Sequence, residues 1–469
     1  MDFRLLIDGK LMDGDLTMDV VNPATEAIVA KCPRATLRQL NLAVAAAKAA
    51  FPSWSALSVG ERRRMILAMA DVIASQSDEL ADLLTTEQGK PLPDSKREVM
   101  GMAAFFRALS AFDLPMKVLE DSANRRVEAH RRPLGVVGAI IPWNFPLLTV
   151  GFKVPPALLA GNTVVLKPSP TTPLSTLRFA ELVAPILPKG VLNVIADDND
   201  LGGAMSTHPD IRKISFTGST ATGRKVMAGA SSTLKRLTLE LGGNDAAIVL
   251  NDVDPKKIAP DIFKAAFWNS GQVCLAIKRL YVHEAVYEEL CSELVEVAKD
   301  WPVDDGMKQG AKIGPVQNKM QYEKLKQLLD EARAKGRILL GGNAMERPGY
   351  FIEPTIVADI RDGTRLVDEE QFGPVLPVVK FTDTAEAVSR ANGTGYGLGA
   401  SVWSSNPVRA AEVATLLDAG TVWINKHSEL VPSIPFGGAN QSGFGIEFAE
   451  EGLLEFTQLK IISAAGRER

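Results

Sequence analysis

From Gly135 onward the chain alternates between short apolar runs and longer stretches of helical period. The runs at 135–141, 163–167 and 192–195 are short and mostly apolar, as strands of a parallel sheet buried on both faces tend to be, and 211–217 sets Ile211, Ile214 and Phe216 among polar residues. The stretches between them, at about 147–159, 173–187 and 201–208, repeat their apolar positions with the spacing of one helix face. Such strand–helix alternation predicts an α/β layer architecture. A second α/β region follows Gly242 and runs to about residue 440, opening with a strand at 246–250 and a helix at about 255–269. The N-terminal part reads differently. Strands at 3–10 and 17–31 are expected around an Asp13-Gly14 turn. Thr36 with Gln39, and Ser58 with Glu61, have capping-box spacing and each should open an amphipathic helix. Helices at about 78–88 and 94–112 are separated by Gly89, Pro91 and Pro93. The stretch 119–132 is Arg-rich and alternating, which suits either a solvated loop or a strand. No internal repeat or low-complexity segment is present.

At 469 residues and 46% hydrophobic, the chain can bury large cores and divide into two or three domains. Net charge is −4 with acids and bases interspersed, which argues against a nucleic-acid surface or a polybasic membrane patch. The first residues lack the charged leader and apolar run of a signal peptide. The longest apolar stretch is cut by Lys153, Pro155 and Pro156, so no membrane span is expected. Three cysteines, Cys32, Cys274 and Cys291, are too scattered for a disulfide framework and fit a soluble, cytoplasmic protein. Cys291 shares a helical stripe with Val286, Leu290, Leu294 and Val297, so packing is its expected role. The four histidines (His130, His208, His283, His427) never cluster, which leaves no visible zinc site and no Cys–His hydrolase dyad.

The chemistry concentrates between Glu240 and Cys274. The first opens Glu240-Leu241-Gly242-Gly243-Asn244, and the second closes Phe267-Trp268-Asn269-Ser270-Gly271-Gln272-Val273-Cys274. A thiol can serve as nucleophile and a carboxylate as the base that readies a water, and the strand–helix crossover between them can bring the two together. Singly, each has a bland reading: a lone cysteine is commonly a small buried hydrophobe, and a lone glutamate is commonly solvated. Together the two segments resemble the signature segments of the aldehyde dehydrogenase superfamily, and the resemblance extends over nearly the whole chain.

The resemblance implies an aldehyde dehydrogenase fold. It has a Rossmann-like parallel-sheet cofactor domain (1–112 and 133–241), an α/β catalytic domain (242–440) and a small β oligomerisation arm (113–132 and 441–469). The arm strand and the C-terminal tail would build the interface of a homodimer or homotetramer. It further implies NAD(P)-dependent oxidation of a small-molecule aldehyde. Cys274 would be the nucleophile and Asn144 an oxyanion donor beside the Cys274 N–H. Glu240 would be the base for hydrolytic release, since coenzyme A-acylating relatives typically lack it. Asn144 could otherwise be an ordinary helix cap.

Cofactor contacts are implied for Ile140, Pro142, Trp143, Lys167, Ser169, Phe216, Thr217, Gly218, Ser219, Gly223, Leu241, Gly242, Glu370 and Phe372. Read without the resemblance, the turn after Thr217 needs only an N-cap from Ser219. Lys167 could snorkel to water, and the segment around Glu370 is a turn before a strand. Two positions depart from the family pattern. Pro170 stands where NAD-preferring members often carry Glu, and Asn440 stands where many carry Lys. Pro170 offers neither an acceptor nor a charge. Weak discrimination between NAD and NADP is therefore expected, with a slight lean to NAD.

Relatives that oxidise carboxylate-bearing semialdehydes carry Arg at the positions of Phe152 and Trp268. Here these two, with Phe145, Leu148 and Phe436, predict a pocket for aromatic or medium-chain aldehydes. The alternatives are that these aromatics are core, or that Lys278 or Lys426 admits a semialdehyde such as succinic semialdehyde.

Overall fold

The computed structural model describes residues 2–465; residues 1 and 466–469, at the outer ends of the expected 1–112 and 441–469 segments, lie outside them. Two large sheets organise the chain. The first contains, in spatial order, Lys10–Met12, Leu5–Ile7, Leu192–Val194, Thr163–Lys167, Val136–Ile140, Ile211–Thr217, Arg236–Glu240 and Gly443–Phe444. Its five central strands are parallel, and the strands flanking them pair antiparallel at both edges. Both faces of the central strands are buried, and polar residues within them, such as Asn193, Lys213 and Ser215, are buried with the apolar ones.

The second sheet runs Arg337–Leu340, Thr355–Ala358, Val375–Phe381, Ile277–His283, Asp245–Val249, Gly399–Trp403 and Thr421–Ile424, parallel except at its first pair. Buried Cys291 packs on the helix Tyr287–Ala298 against this sheet. A third, three-stranded antiparallel sheet joins Lys117–Asp121, Arg125–Pro133 and the C-terminal Thr457–Ala465. The Arg-rich stretch is thus strand, with Leu119, Leu459, Ile461 and Ile462 exposed along the arm. No helix among the described residues is long and apolar enough to cross a membrane.

The expected helices form, with ends shifted by a few residues. Leu37–Ala56 and Val59–Ser75 follow Thr36 and Ser58, with Gln39 and Glu61 accepting from the N–H groups of those two residues. The N-terminal strands are the main correction. Residues 3–10 do not form one strand: the chain reverses at Asp8-Gly9, with φ of +53° and +69°. Two consecutive positive φ values at Asp-Gly make a type I′ hairpin turn, which fits the strand twist. Residues 17–31 are likewise divided, into Leu16–Val21 and Ile28–Arg34, which pair as a hairpin around the Asn22-Pro23 turn.

Candidate active site

The helix expected to reach Asn269 stops at Phe267. Asn269, Ser270 and Gly271 follow with φ of +51°, +57° and +67°, conformations that only surrounding contacts can hold at the two non-glycine positions. Those contacts are present. The Asn269 amide donates to the carbonyls of Asn144 and Gln272, Ser270 Oγ donates to the Gly314 carbonyl, and Gln272 Oε1 accepts from the Gln317 N–H. This over-determined turn delivers Cys274 to the space between the two large sheets.

Asn144 does not cap the helix Pro146–Leu159. Its Nδ2 donates to the Gln272 carbonyl at 2.9 Å, two residues before Cys274. The Asn144 carbonyl in turn accepts from Lys90 Nζ at 2.7 Å. Lys90 is buried and paired with Glu98, whose other oxygen accepts from the N–H groups of Leu147 and Leu148. The Cys274 N–H takes no part in the hydrogen bonds that fix the loop.

Glu240 ends the strand Arg236–Glu240 and is buried between Thr217 and Gly443 on neighbouring strands. Burial first, and the Glu447 charge second, push its carboxyl up to about 8. Among the described residues its Oε1 has no hydrogen-bond partner. Behind it lies a buried triad in which Lys153 Nζ meets Glu447 at 2.6 Å and Ser215 Oγ at 3.1 Å. The Cys274 thiol is raised well above its ordinary value, chiefly by burial and next by the Glu240 charge, while Lys278 opposes both. Cys274 and Glu240 thus act on one another across the site.

Five of the residues expected around the substrate gather in one apolar cluster with Cys274: Phe145, Leu148, Phe152, Trp268 and Phe436. Phe145 and Trp268 have ring centroids 5.1 Å apart. Phe152 packs on Phe105 and Phe448, each at 4.6 Å. Phe105, Phe448 and Trp423 belong to the same cluster and carry no local sequence mark that separates them from core. Lys278 donates to the carbonyls of Val273 and Cys274 and pairs with Glu370, and Lys426 pairs with Glu429.

The residues expected at a dinucleotide line the carboxyl edge of the first sheet. Ile140 and Thr217 end adjacent strands, with Pro142 and Trp143 following the first. The buried Thr217 Oγ1 has no partner. Gly218 donates its N–H to the Glu240 carbonyl, and Ser219 caps the helix Thr220–Ala230 by accepting from the Thr222 N–H. A helix start at this strand end presents free N–H groups to an anion.

Gly223 lies so close to Leu241 that a Cβ would sit 2.5 Å from its side chain, and a Cβ at Gly242 would lie 2.3 Å from Glu370 Oε2. The Glu370 carboxylate reaches into the site over that glycine, accepting from the Gly243 N–H at 3.1 Å. Phe372, at φ +53°, meets Trp143 edge-on at 5.2 Å. These features (an orphaned hydroxyl, a glycine cradle and a helix N-terminus) fit a nicotinamide dinucleotide. Lys167 does not snorkel to water: it is buried, with Nζ 2.5 Å from Asp197 Oδ1. Ser169 lies beside Thr171, before Pro170. Asn440 donates from Nδ2 to Asp418 at 2.8 Å.

Sequence reasoning did not find Lys90, Glu98, Asp197 or Glu447. The one available signal was Lys153, a lysine inside an otherwise apolar helix.

Comparison with known proteins identifies the family. The model of the Aldehyde dehydrogenase family matches residues 11–462. The chain is 39% identical to the aldehyde dehydrogenase LUC3 of Fusarium sp., covering 98% of each chain. It is also 39% identical to the phenylacetaldehyde dehydrogenase of Pseudomonas fluorescens, covering 98% of this chain and 96% of that one. The crystal structure of PnpE in complex with nicotinamide adenine dinucleotide is similar at a TM-score of 0.97 and 38% identity, covering 100% of this chain and 99% of the other.

Proposed function

Since the chain belongs to the aldehyde dehydrogenase family, and so is an NAD(P)-dependent oxidoreductase, we propose that it oxidises an apolar aldehyde, aromatic or medium-chain, to its carboxylic acid through a thioester on Cys274. The observation that carries this reading is Cys274 packed into a cluster of aromatic rings, with the Asn144 amide bonded to Gln272 two residues before it and the Glu240 charge acting on its thiol. The phenylacetaldehyde-oxidising relative favours an aromatic substrate. Lys278 is held by Glu370 and by the carbonyls of Val273 and Cys274, and Lys426 lies half-exposed beside Glu429; neither belongs to the aromatic cluster around Cys274.

The chain's own residues would act as follows. Cys274 Sγ adds to the aldehyde carbon as thiolate, its proton having left to solvent. The remaining N–H of the Asn144 amide and the backbone N–H of Cys274 donate to the oxyanion that forms. A nicotinamide, when bound, would supply the acceptor for the hydride that the adduct loses. Ile140, Pro142, Trp143, Phe216, Leu241 and Phe372 would pack the cofactor. Glu370 would hold its ribose, and the Gly218–Gly223 turn with Ser219 its pyrophosphate, while Lys167 and Ser169 stand at the adenosine end. Glu240, as carboxylate, takes a proton from water; that water adds to the acyl carbon, the carboxylic acid is released, and Cys274 leaves as thiolate. Glu447 and Lys153, as opposed charges behind Glu240, set how readily it gives and takes that proton. The arm sheet, with its exposed apolar residues, would pair subunits into a homodimer or homotetramer.

Cys274→Ala tests the reading. It should abolish aldehyde-dependent reduction of cofactor while cofactor binding stays measurable. Turnover within tenfold of the parent enzyme would overturn it.

A further inference from the structure

The position that could have carried a discriminating carboxylate, residue 170, is proline, yet a carboxylate is present at the same strand end. Asp197 follows the strand Leu192–Val194, beside the strand that ends in Lys167. It is fully buried, and both its oxygens are committed: Oδ1 to Lys167 Nζ at 2.5 Å and Oδ2 to the Leu201 N–H at 2.8 Å. Lys167 Nζ also approaches the Pro168 carbonyl at 3.4 Å. An ammonium has three donors, so one remains for a ligand. Lys167 therefore offers a single hydrogen bond from a charge that is already neutralised. Its surroundings are net acidic: Asp197, Asp198 and Asp200 face only Lys167 and Arg34, whose guanidinium is drawn to Asp198 at 3.5 Å and Asp200 at 2.9 Å.

The strand order decides which end of a dinucleotide arrives here. Glu240 marks the reacting end, and the helix start at Thr220, on the next strand, marks the anion site. Lys167 lies two strands beyond that, on the side away from Glu240, about 10 Å at ordinary strand spacing. The ribose of the nucleotide end falls at Lys167.

We propose that Asp197 sets cofactor choice, acting through Lys167. By holding the ammonium in a neutral pair, it lets the strand end accept a ribose hydroxyl but gives a 2′-phosphate no net positive charge to meet. Asp197 is thus a positioning residue for NAD preference. This inference rests on the proposed NAD(P)-dependent function. A hydroxyl needs one donor, which Lys167 has. A phosphate dianion brought here would lose water and face the acidic surroundings instead.

The test measures dissociation constants of NAD and NADP for the cofactor-free protein by calorimetry, so that no turnover is needed. Wild type should bind NAD more tightly by about ten- to a hundredfold. Asp197→Asn keeps an acceptor for Leu201 but removes the charge, and should shift the NADP-to-NAD ratio towards NADP by about tenfold. In a Lys167→Met background the same substitution should leave the ratio within about twofold. An Asp197→Asn protein that binds NAD normally with an unchanged ratio would overturn the proposal, as would a shift that persists without Lys167. Should Asp197→Asn fail to fold, Lys167→Met alone decides: equal weakening of both cofactors supports the neutral pair, and selective loss of NADP by about tenfold refutes it. If wild type binds neither cofactor, the functional reading fails, not merely the role of Asp197.

Discussion

Asn144 Nδ2 donates to the Gln272 carbonyl at 2.9 Å, a bond between residues 128 positions apart. It ties the end of a first-sheet strand to the loop that carries Cys274, and it uses one of the two amide hydrogens. The other remains for an oxyanion. Asn144→Ala should lower kcat/KM for an aldehyde by about a hundred- to a thousandfold, the effect of losing one such donor. Cofactor affinity, measured by calorimetry, should stay close to that of wild type. A loss under tenfold would remove Asn144 from the reacting centre.

Glu240 makes a prediction about pH. Its carboxyl is raised to about 8 from an ordinary value of 4.5, so at neutral pH much of it is protonated and unable to act as base. Hydrolysis of the thioester should rise with pH through about 8 and then level, visible as kcat wherever acyl release limits turnover. Stability should move the opposite way. The folded protein binds this proton more tightly than the unfolded chain, so the contribution is full below the ordinary carboxylate range and is lost as pH rises towards 8. Thermal unfolding of wild type against Glu240→Gln across pH 5–9 should show wild type losing ground as pH rises. A difference that is flat, or of the opposite sign, would contradict the assignment.

The aromatic recess predicts substrate order. Burying a ring or alkyl chain beside Phe145, Phe152, Trp268 and Phe436 is favourable, whereas burying an unpaired carboxylate is costly. Phenylacetaldehyde and medium-chain aldehydes should exceed succinic semialdehyde in kcat/KM by at least about tenfold. Phe152→Arg should narrow that gap. A wild-type preference for succinic semialdehyde would refute the apolar pocket.

What could be read in advance follows how local each feature is. Thr163–Lys167 was legible to the residue, because a strand buried on both faces leaves a short apolar run, and Ile211–Thr217 because its apolar Ile211, Ile214 and Phe216 sit in a short segment between helical stretches and the turn at Gly218. Glu240 and Cys274 stood out because the segments around them resemble the family's signature segments, whereas each residue taken singly reads as solvated or as a small buried hydrophobe. The hairpin at Asp8-Gly9 was missed by extending a strand through it, although two positive φ values at Asp-Gly are a local turn signal. The stop at Phe267 had no local signal, since the backbone at Asn269 and Ser270 is held by bonds from Asn144, Gln272 and Gly314. The same holds for pairs such as Lys153–Glu447, whose partners lie 294 positions apart. Lys167–Asp197, separated by 30, needed the order of two neighbouring strands to be known first.

The central claim is covalent oxidation at Cys274 with hydrolysis by Glu240, and rapid mixing of Glu240→Gln with an aldehyde and NAD tests it most directly. Absorbance follows the reduced cofactor, and intact-protein mass spectrometry follows the chain. The account predicts a burst of about one reduced cofactor per subunit, slow turnover afterwards, and an acyl adduct that maps to Cys274. Full steady-state turnover without a burst, or an adduct on another residue, would contradict it.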